Sequence, residues 1–301
     1  MRRRAFADPK TDFVFQRIFG SEDHKPVLIG FLNDLLELDD AHRIRSVSLL
    51  PLEQRPKLSE LPYSIIDVKC VDVCGTTYVV EIQVLNVEAF EKPVMYNVAK
   101  AYTNQLSAGQ AYPHVDDVIG ISICDFELWP RSKGFEVPML SRWRMQEQNT
   151  DTPGLPHLQL VFLELPKYDA TRTPQSVVDQ WAYFFREAEN LTAIPDALAH
   201  PPVLDALELA RKARFTTAEW DAYIAAGMAI QNARGALSLA YREGFEKGET
   251  AHKQGLRLAI EPLCDALRID LSAERTREVE ALDITGLQSL LATLRAQRRW
   301  P

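Results

Sequence analysis

Within Tyr78-Val-Val-Glu-Ile-Gln-Val-Leu85, a run rich in β-formers, a glutamate and a glutamine stand two positions apart. A strand alternates its faces, so Glu81 and Gln83 project to the same side. A buried strand keeps a carboxylate only when something pairs with it or coordinates it. Just upstream, Tyr63-Ser-Ile-Ile-Asp-Val-Lys-Cys-Val-Asp-Val73 is also strand-like and carries Asp67 and Lys69 at the same spacing. The Cys74-Gly75 pair between the two runs is a hairpin signal.

The hairpin register decides whether these polar residues meet. A three-residue loop, Val73-Cys74-Gly75, with glycine in the left-handed position, sets Asp67 opposite Glu81. A two-residue loop sends them to opposite faces, because the side-chain period is two. Gly75 at the third loop position favours the first arrangement, in which Asp67, Lys69, Glu81 and Gln83 share a face. Two carboxylates whose Cβ atoms are about 5 Å apart repel each other unless a cation lies between them. A hard divalent ion suits them, and Mg²⁺ held by one or two carboxylates keeps several waters. Such an ion turns a bound water into a nucleophile and polarises a phosphodiester. An exposed polar sheet face with Lys69 in a salt bridge accounts for the same pattern, and spacing alone does not separate the two.

The elements around this face follow from periodicity. Residues 8–20 place Phe13, Ile18 and Phe19 in a short amphipathic helix that stops at Gly20. A second helix begins near Pro26, with Val27, Leu28, Phe31, Leu32 and Leu35 at helical spacing. A strand over 44–50 precedes a proline-containing link through Pro56 and Pro62. Residues 90–110 predict a helix with Phe90, Val94, Val98 and Ala101 in one stripe. Residues 117–127, 137–147 and 157–165 predict strands of the same sheet.

From Thr173 onward strand signals vanish and prolines punctuate short helices over 175–190, 203–213 and 217–243. Gly244, Gly248 and Gly255 then interrupt a charged run, each costing about 1 kcal/mol against alanine, which predicts a jointed helix. Further helices are expected over 256–268 and 286–298. This reading divides the chain into an α/β domain, 1–170, and a helical C-terminal region, 171–301.

The 301-residue chain has the hydrophobic and charged fractions, 46% and 25%, of an ordinary globular protein. Its net charge of -8 argues against a generally basic nucleic-acid coat but leaves room for a local basic groove. Four scattered cysteines form neither a disulfide scaffold nor a zinc set. The apolar runs are too short to span a membrane, and no secretory core follows Met1-Arg-Arg-Arg, so the expected location is the cytoplasm. No phosphate loop or dinucleotide fingerprint is present, so no nucleotide cofactor is expected.

Asp67 followed across a glycine-turned hairpin by Glu81-Ile-Gln83 resembles the PD-(D/E)XK nuclease fold. The wider run is similar to one branch of it, the Rpn-type recombination-promoting nucleases, also called PD-(D/E)XK family transposases. The matching stretches occur in the branch's order: Lys10-Thr-Asp-Phe-Val-Phe-Gln-Arg-Ile-Phe-Gly20, Asp67-Val-Lys69, Glu81-Ile-Gln83, Tyr102-Thr-Asn-Gln-Leu-Ser-Ala-Gly109-Gln-Ala-Tyr112 and Phe162-Leu-Glu-Leu-Pro-Lys167. The glycine-spaced Glu243-Gly-Phe-Glu-Lys-Gly248 is similar as well.

The resemblance implies an α/β, restriction-endonuclease-like core, a mixed sheet flanked by helices, with a helical C-terminal region. It implies a DNA endonuclease linked to recombination or transposition of mobile DNA. Asp67 and Glu81 would bind Mg²⁺, with Mn²⁺ able to substitute, and the backbone carbonyl of Ile82 would be a further ligand. The family motif ends in lysine, whereas this chain has Gln83. Glutamine carries no proton at neutral pH and offsets no phosphate charge, although it orients a water.

Lys92 and Lys69 are the candidates for the missing charge, although each taken alone reads first as a solvated surface lysine. Asp12 is a candidate third carboxylate or a first-turn aspartate serving the helix dipole. Lys92, Tyr96, Lys100 and Thr103 lie at spacings of three or four. That face would meet the DNA backbone through the lysines and a Tyr96 hydrogen bond, or else is simply solvated. Gln83 and the net charge keep an alternative open: a catalytically inactive nuclease-fold protein that binds DNA or a protein partner. A homodimer formed through the helical tail would bring two sites to the two strands of a duplex.

Overall fold

The computed structural model of the chain describes residues 4–54, 64–65, 67–86, 89–106, 115–150, 152 and 155–301. The first helix, α1 (Asp12–Phe19), starts where the Thr11 hydroxyl accepts a hydrogen bond from the Val14 N–H, and it buries Val14, Phe15, Ile18 and Phe19. Helix α2 (Lys25–Leu36) has proline in its first turn and buries Val27, Leu28, Phe31, Leu32 and Leu35. Three short strands follow: β1 (Val47–Leu49), β2 (Glu53–Gln54) and β3 (Ser64–Ile65), the last two forming a separate ribbon. The link through Pro56 and Pro62 lies outside the described residues.

Strands β4 (Val68–Asp72) and β5 (Thr77–Gln83) form the hairpin, and α3 (Glu91–Thr103) carries the chain across to β6 (Val118–Cys124). Strands β7 (Leu140–Met145) and β8 (Leu155–Glu164) complete a six-stranded sheet in the order β1-β4-β5-β6-β8-β7. Pairing is parallel for β5 with β6 and β6 with β8, and antiparallel elsewhere in that sheet. The helix expected over 90–110 ends at Thr103, and residues 107–114 lie outside the described residues.

One sheet face is covered by α1, α2, α4 (Val177–Glu187) and α5 (Pro201–Leu209). Their contact is an aromatic cluster in which Phe19, Phe31, Trp181 and Phe185 lie with ring centroids 4.9–6.4 Å apart. The indole of the fully buried Trp181 donates to Asp34 Oδ2 at 2.8 Å, which also lies 2.6 Å from His200 Nε2. Helices α4 and α5 therefore belong to the core of the α/β unit, although they come after the composition change at residue 171. Compact units run Met1–Ile230 and Gln231–Pro301, so the division falls sixty residues after the one expected from composition.

Among the described residues, the helix on the opposite face is α3, and the loop bearing Phe126, Leu128 and Trp129 packs beside it. Gly120 on β6 makes this packing possible, because a Cβ there would stand 2.4 Å from Val98 Cγ2 on the helix. Val79, Val98, Ala101 and Val118 form the small core beneath α3.

The C-terminal helices depart from expectation. One helix, α6 (Thr217–Leu267), runs 51 residues through Gly244, Gly248, Gly255 and Pro262, where separate helices were expected over 217–243 and 256–268. The glutamate, lysine, alanine and glutamine residues between the glycines are strong helix formers and outweigh each local cost. Helix α7 (Ala273–Ala281) has no counterpart in the periodicity reading, and α8 (Ile284–Gln297) matches the last expected helix. The second unit has its own core, where Ile260 and Cys264 meet Val279, Leu287, Leu290, Leu291 and Leu294. Among the described residues no helix is long and apolar enough to cross a membrane.

Candidate active site

The hairpin register is set by Gly75. Its φ of +93° closes a three-residue loop, within which the Gly75 N–H donates to Asp72 and the Asp72 N–H to Thr76. Val68 then pairs with Val80, and one further step sets Asp67 opposite Glu81. Val68, Cys70, Val80 and Ile82 face the main core, so Asp67, Lys69, Glu81 and Gln83 face the α3 side.

Strand β5 runs beyond the start of β4, which leaves the Ile82 N–H at a frayed corner of the ladder. Asp67 Oδ2 accepts that N–H at 2.7 Å. Glu81 Oε1 accepts a hydrogen bond from Asn97 Nδ2 on α3, also at 2.7 Å. Both carboxyls are half-buried, and both are pushed upward. Burial raises Asp67 to about 6, against the Ile82 hydrogen bond, with a further push from the charge of Asp12. Burial raises Glu81 to about 7, against the Asn97 hydrogen bond, and the Asp67 charge adds to the rise. Among the described residues no cationic side chain pairs with either carboxyl.

The remaining candidates take varied positions. Lys69 is half-buried, and burial pushes its ammonium down; it makes no salt bridge among the described residues. Gln83 turns its side-chain amide N–H to the Leu85 carbonyl at 3.0 Å, while its backbone carbonyl accepts the Asp125 N–H at 2.9 Å. Asp125 in turn pairs with Lys10 at 3.2 Å, so the segment bearing Lys10 and Asp12 lies at this end of the sheet. Ile82 buries its side chain in the main core, with its backbone at the site.

Lys92 and Tyr96 are exposed on α3. Lys100 corrects the expectation of one solvated face: it is buried, with its ammonium 5.4 Å from the centroid of the Tyr96 ring. Residues four apart are neighbours on a helix surface, which puts Lys100 within cation–π reach of Tyr96.

Asn97 was missed by the sequence reading. Its signal was present, because it stands three residues after Val94 and four before Ala101, a polar residue inside the buried stripe of α3. Such a residue needs a partner, and Glu81 is one.

Two carboxyl groups that burial, and for Glu81 the neighbouring Asp67 charge, make harder to ionise have the chemistry a hard cation relieves. Among the described residues no group of three or more His, Cys, Asp or Glu side chains converges, so the side-chain donors number two here. That number fits an ion completing its shell with water.

A mixed sheet flanked by helices, with an acidic pair on adjacent strands of a glycine-turned hairpin, defines a nuclease-type α/β core. Residues 9–234 match the PD-(D/E)XK nuclease family transposases, and the chain belongs to that family. No curated protein and no solved structure matches the chain.

Proposed function

We propose that this protein is a divalent-metal-dependent DNA endonuclease that hydrolyses phosphodiester bonds, with Mg²⁺ as its ion and Mn²⁺ as a substitute. The observation that carries this reading is the half-buried Asp67–Glu81 pair without a cationic partner among the described residues. Asp67, Glu81 and the backbone carbonyl of Ile82 would hold the ion. A divalent cation bound there supplies charge neutralisation at the phosphate and a more acidic water. Asn97 fixes the direction of the Glu81 carboxylate, and the Ile82 N–H fixes Asp67. Lys92 and Tyr96, exposed on the same helix as Asn97, suit contacts to the DNA backbone. A role in recombination or transposition, and a homodimer placing one site on each strand, belong to the same reading.

The test is nicking of supercoiled plasmid with Mg²⁺ or Mn²⁺. Asp67→Ala and Glu81→Ala should each abolish it, with the fold intact by circular dichroism. Cleavage unchanged in both variants would falsify the proposal. The second reading, a nuclease fold that binds DNA or a protein without cutting, is favoured by one observation: Gln83 stands in the lysine position and spends its amide on Leu85. Salt-sensitive DNA binding with no cleavage in either metal would select it.

A further inference from the structure

Helix α3 covers only part of its sheet face. Beside it, over β8 and β7, lies an open groove of about 810 Å³. Leu158, Leu160 and Phe162 form its floor, and Met95 and Tyr96 on α3 form one wall. The other wall is aromatic, with Trp129 stacked on Trp143 at 4.6 Å between centroids and an interplanar angle of 26°. Trp143 is 41% exposed and Tyr96 38% exposed.

This aromatic wall is built into the fold rather than left loose. Glu164 Oε2 accepts the N–H groups of Leu128 and Trp129 at 2.7 and 3.1 Å, which fixes the loop that carries Trp129. The same carboxylate pairs at 2.7 Å with Lys167, and both side chains are at most 1% exposed. Lys167 also donates to the Val137 carbonyl at 2.8 Å. A buried ion pair is costly unless it is fully hydrogen-bonded, and this pair holds Trp129 in place. The Trp143 indole N–H donates to Ser141 Oγ at 2.9 Å, which sets the second ring.

The groove is also level with the acidic pair. Glu81 pairs with Ser122 on β6, and Ser122 with Phe162 on β8. The floor residue Phe162 is therefore two strands away from Glu81 on the same face, about 10 Å across the sheet. Helix α3 serves both sites, through Asn97 on one side and Tyr96 on the other. Lys92 and Arg144 lie at the groove, and Glu91 offsets one of their charges.

We propose that this groove binds unpaired nucleobases of a DNA strand by stacking them against Trp143 and Tyr96, while Lys92 and Arg144 meet the adjoining phosphates. The proposal rests on the nuclease reading and names its substrate as DNA with single-stranded or unstacked bases beside the cleavage point. Base–aromatic stacking tolerates any sequence, because every base has a π-face. With Glu91 nearby, stacking carries more of the affinity than charge does.

The test uses the full-length protein in EDTA, so that binding is measured without cleavage. Fluorescence anisotropy compares labelled oligo(dT), an abasic strand of equal length and a duplex. Oligo(dT) should bind about tenfold or more tightly than the abasic strand and quench tryptophan emission. Trp143→Ala should erase that margin, Trp143→Phe should keep most of it, and Arg144→Glu should weaken both single strands. Met145→Glu, on the same exposed strand, should also erase the margin and guards against a folding defect peculiar to Trp143→Ala.

Equal binding of oligo(dT) and abasic DNA, or a margin that survives Trp143→Ala and Met145→Glu, overturns the proposal. So does a dimer that Trp143→Ala dissociates while the margin is unchanged, which would assign the groove to a second copy. Failure of the nuclease reading looks different: no nicking by the wild type in either metal, whatever the binding margin.

Discussion

At the scale of single residues, Asp67 and Glu81 hold their protons more tightly in the native protein than in an unfolded chain. Asp67 moves from 3.8 to about 6 and Glu81 from 4.5 to about 7, mainly through burial. A carboxyl with a raised native value costs stability as pH climbs from its unfolded value to its folded one. For the metal-free protein, these two groups should therefore lower stability by a few kcal/mol between about pH 4 and pH 7. Urea denaturation across that range checks it, and the pair Asp67→Asn and Glu81→Gln should flatten the decline. Saturating Mg²⁺ should raise the wild-type midpoint above neutrality but not near pH 4, where both groups are protonated. A midpoint that rises through this window in the metal-free wild type would show that neither carboxyl is destabilised by burial.

At the scale of elements, the site depends on how closely α3 lies on the sheet. Asn97 reaches Glu81 because Val98 rests directly above Gly120, where a Cβ would approach to 2.4 Å. Gly120→Ala should lift the helix or force Val98 off its rotamer, at a cost of about 1–3 kcal/mol. Nicking should fall with it, as Glu81 loses its fixed partner. Adding Val98→Ala should restore part of both losses by freeing that volume, and failure of the double variant to recover either would remove this coupling from the account.

The hairpin itself was legible in the sequence. Gly75 at the third loop position fixes the register, and the period of two then places all four polar residues on one face. The Asn97–Glu81 bond was not legible, because a helix stripe and a strand face can be aligned only once the packing of α3 on β6 is known. Lys100 escaped for a related reason: spacing places a residue on a helix face but does not say whether that face is covered.

At the scale of the whole molecule, the change of composition at residue 171 marks a change of secondary structure and not the limit of a core. Trp181, Phe184 and Phe185 on α4 complete the aromatic cluster of the first unit, so its compact boundary falls near residue 230. Glycine counting likewise predicted joints where α6 is continuous, since local propensity is a weak prior when strong helix formers surround each glycine. The second unit, Gln231–Pro301, has a core of its own. Leu287 is fully buried there among Ile260, Cys264 and Leu291. Removing its side chain should cost about 2–5 kcal/mol, a large share of the stability that so small a unit can hold. Calorimetry of Leu287→Ala should show a lower-temperature transition weakened or lost, while the transition of the aromatic core stays in place. Plasmid nicking should persist below that second transition, because Asp67, Glu81 and Asn97 all belong to the first unit. A single transition that moves as a whole would mean that the two cores unfold together, and the independence argued from their separate packing would be wrong.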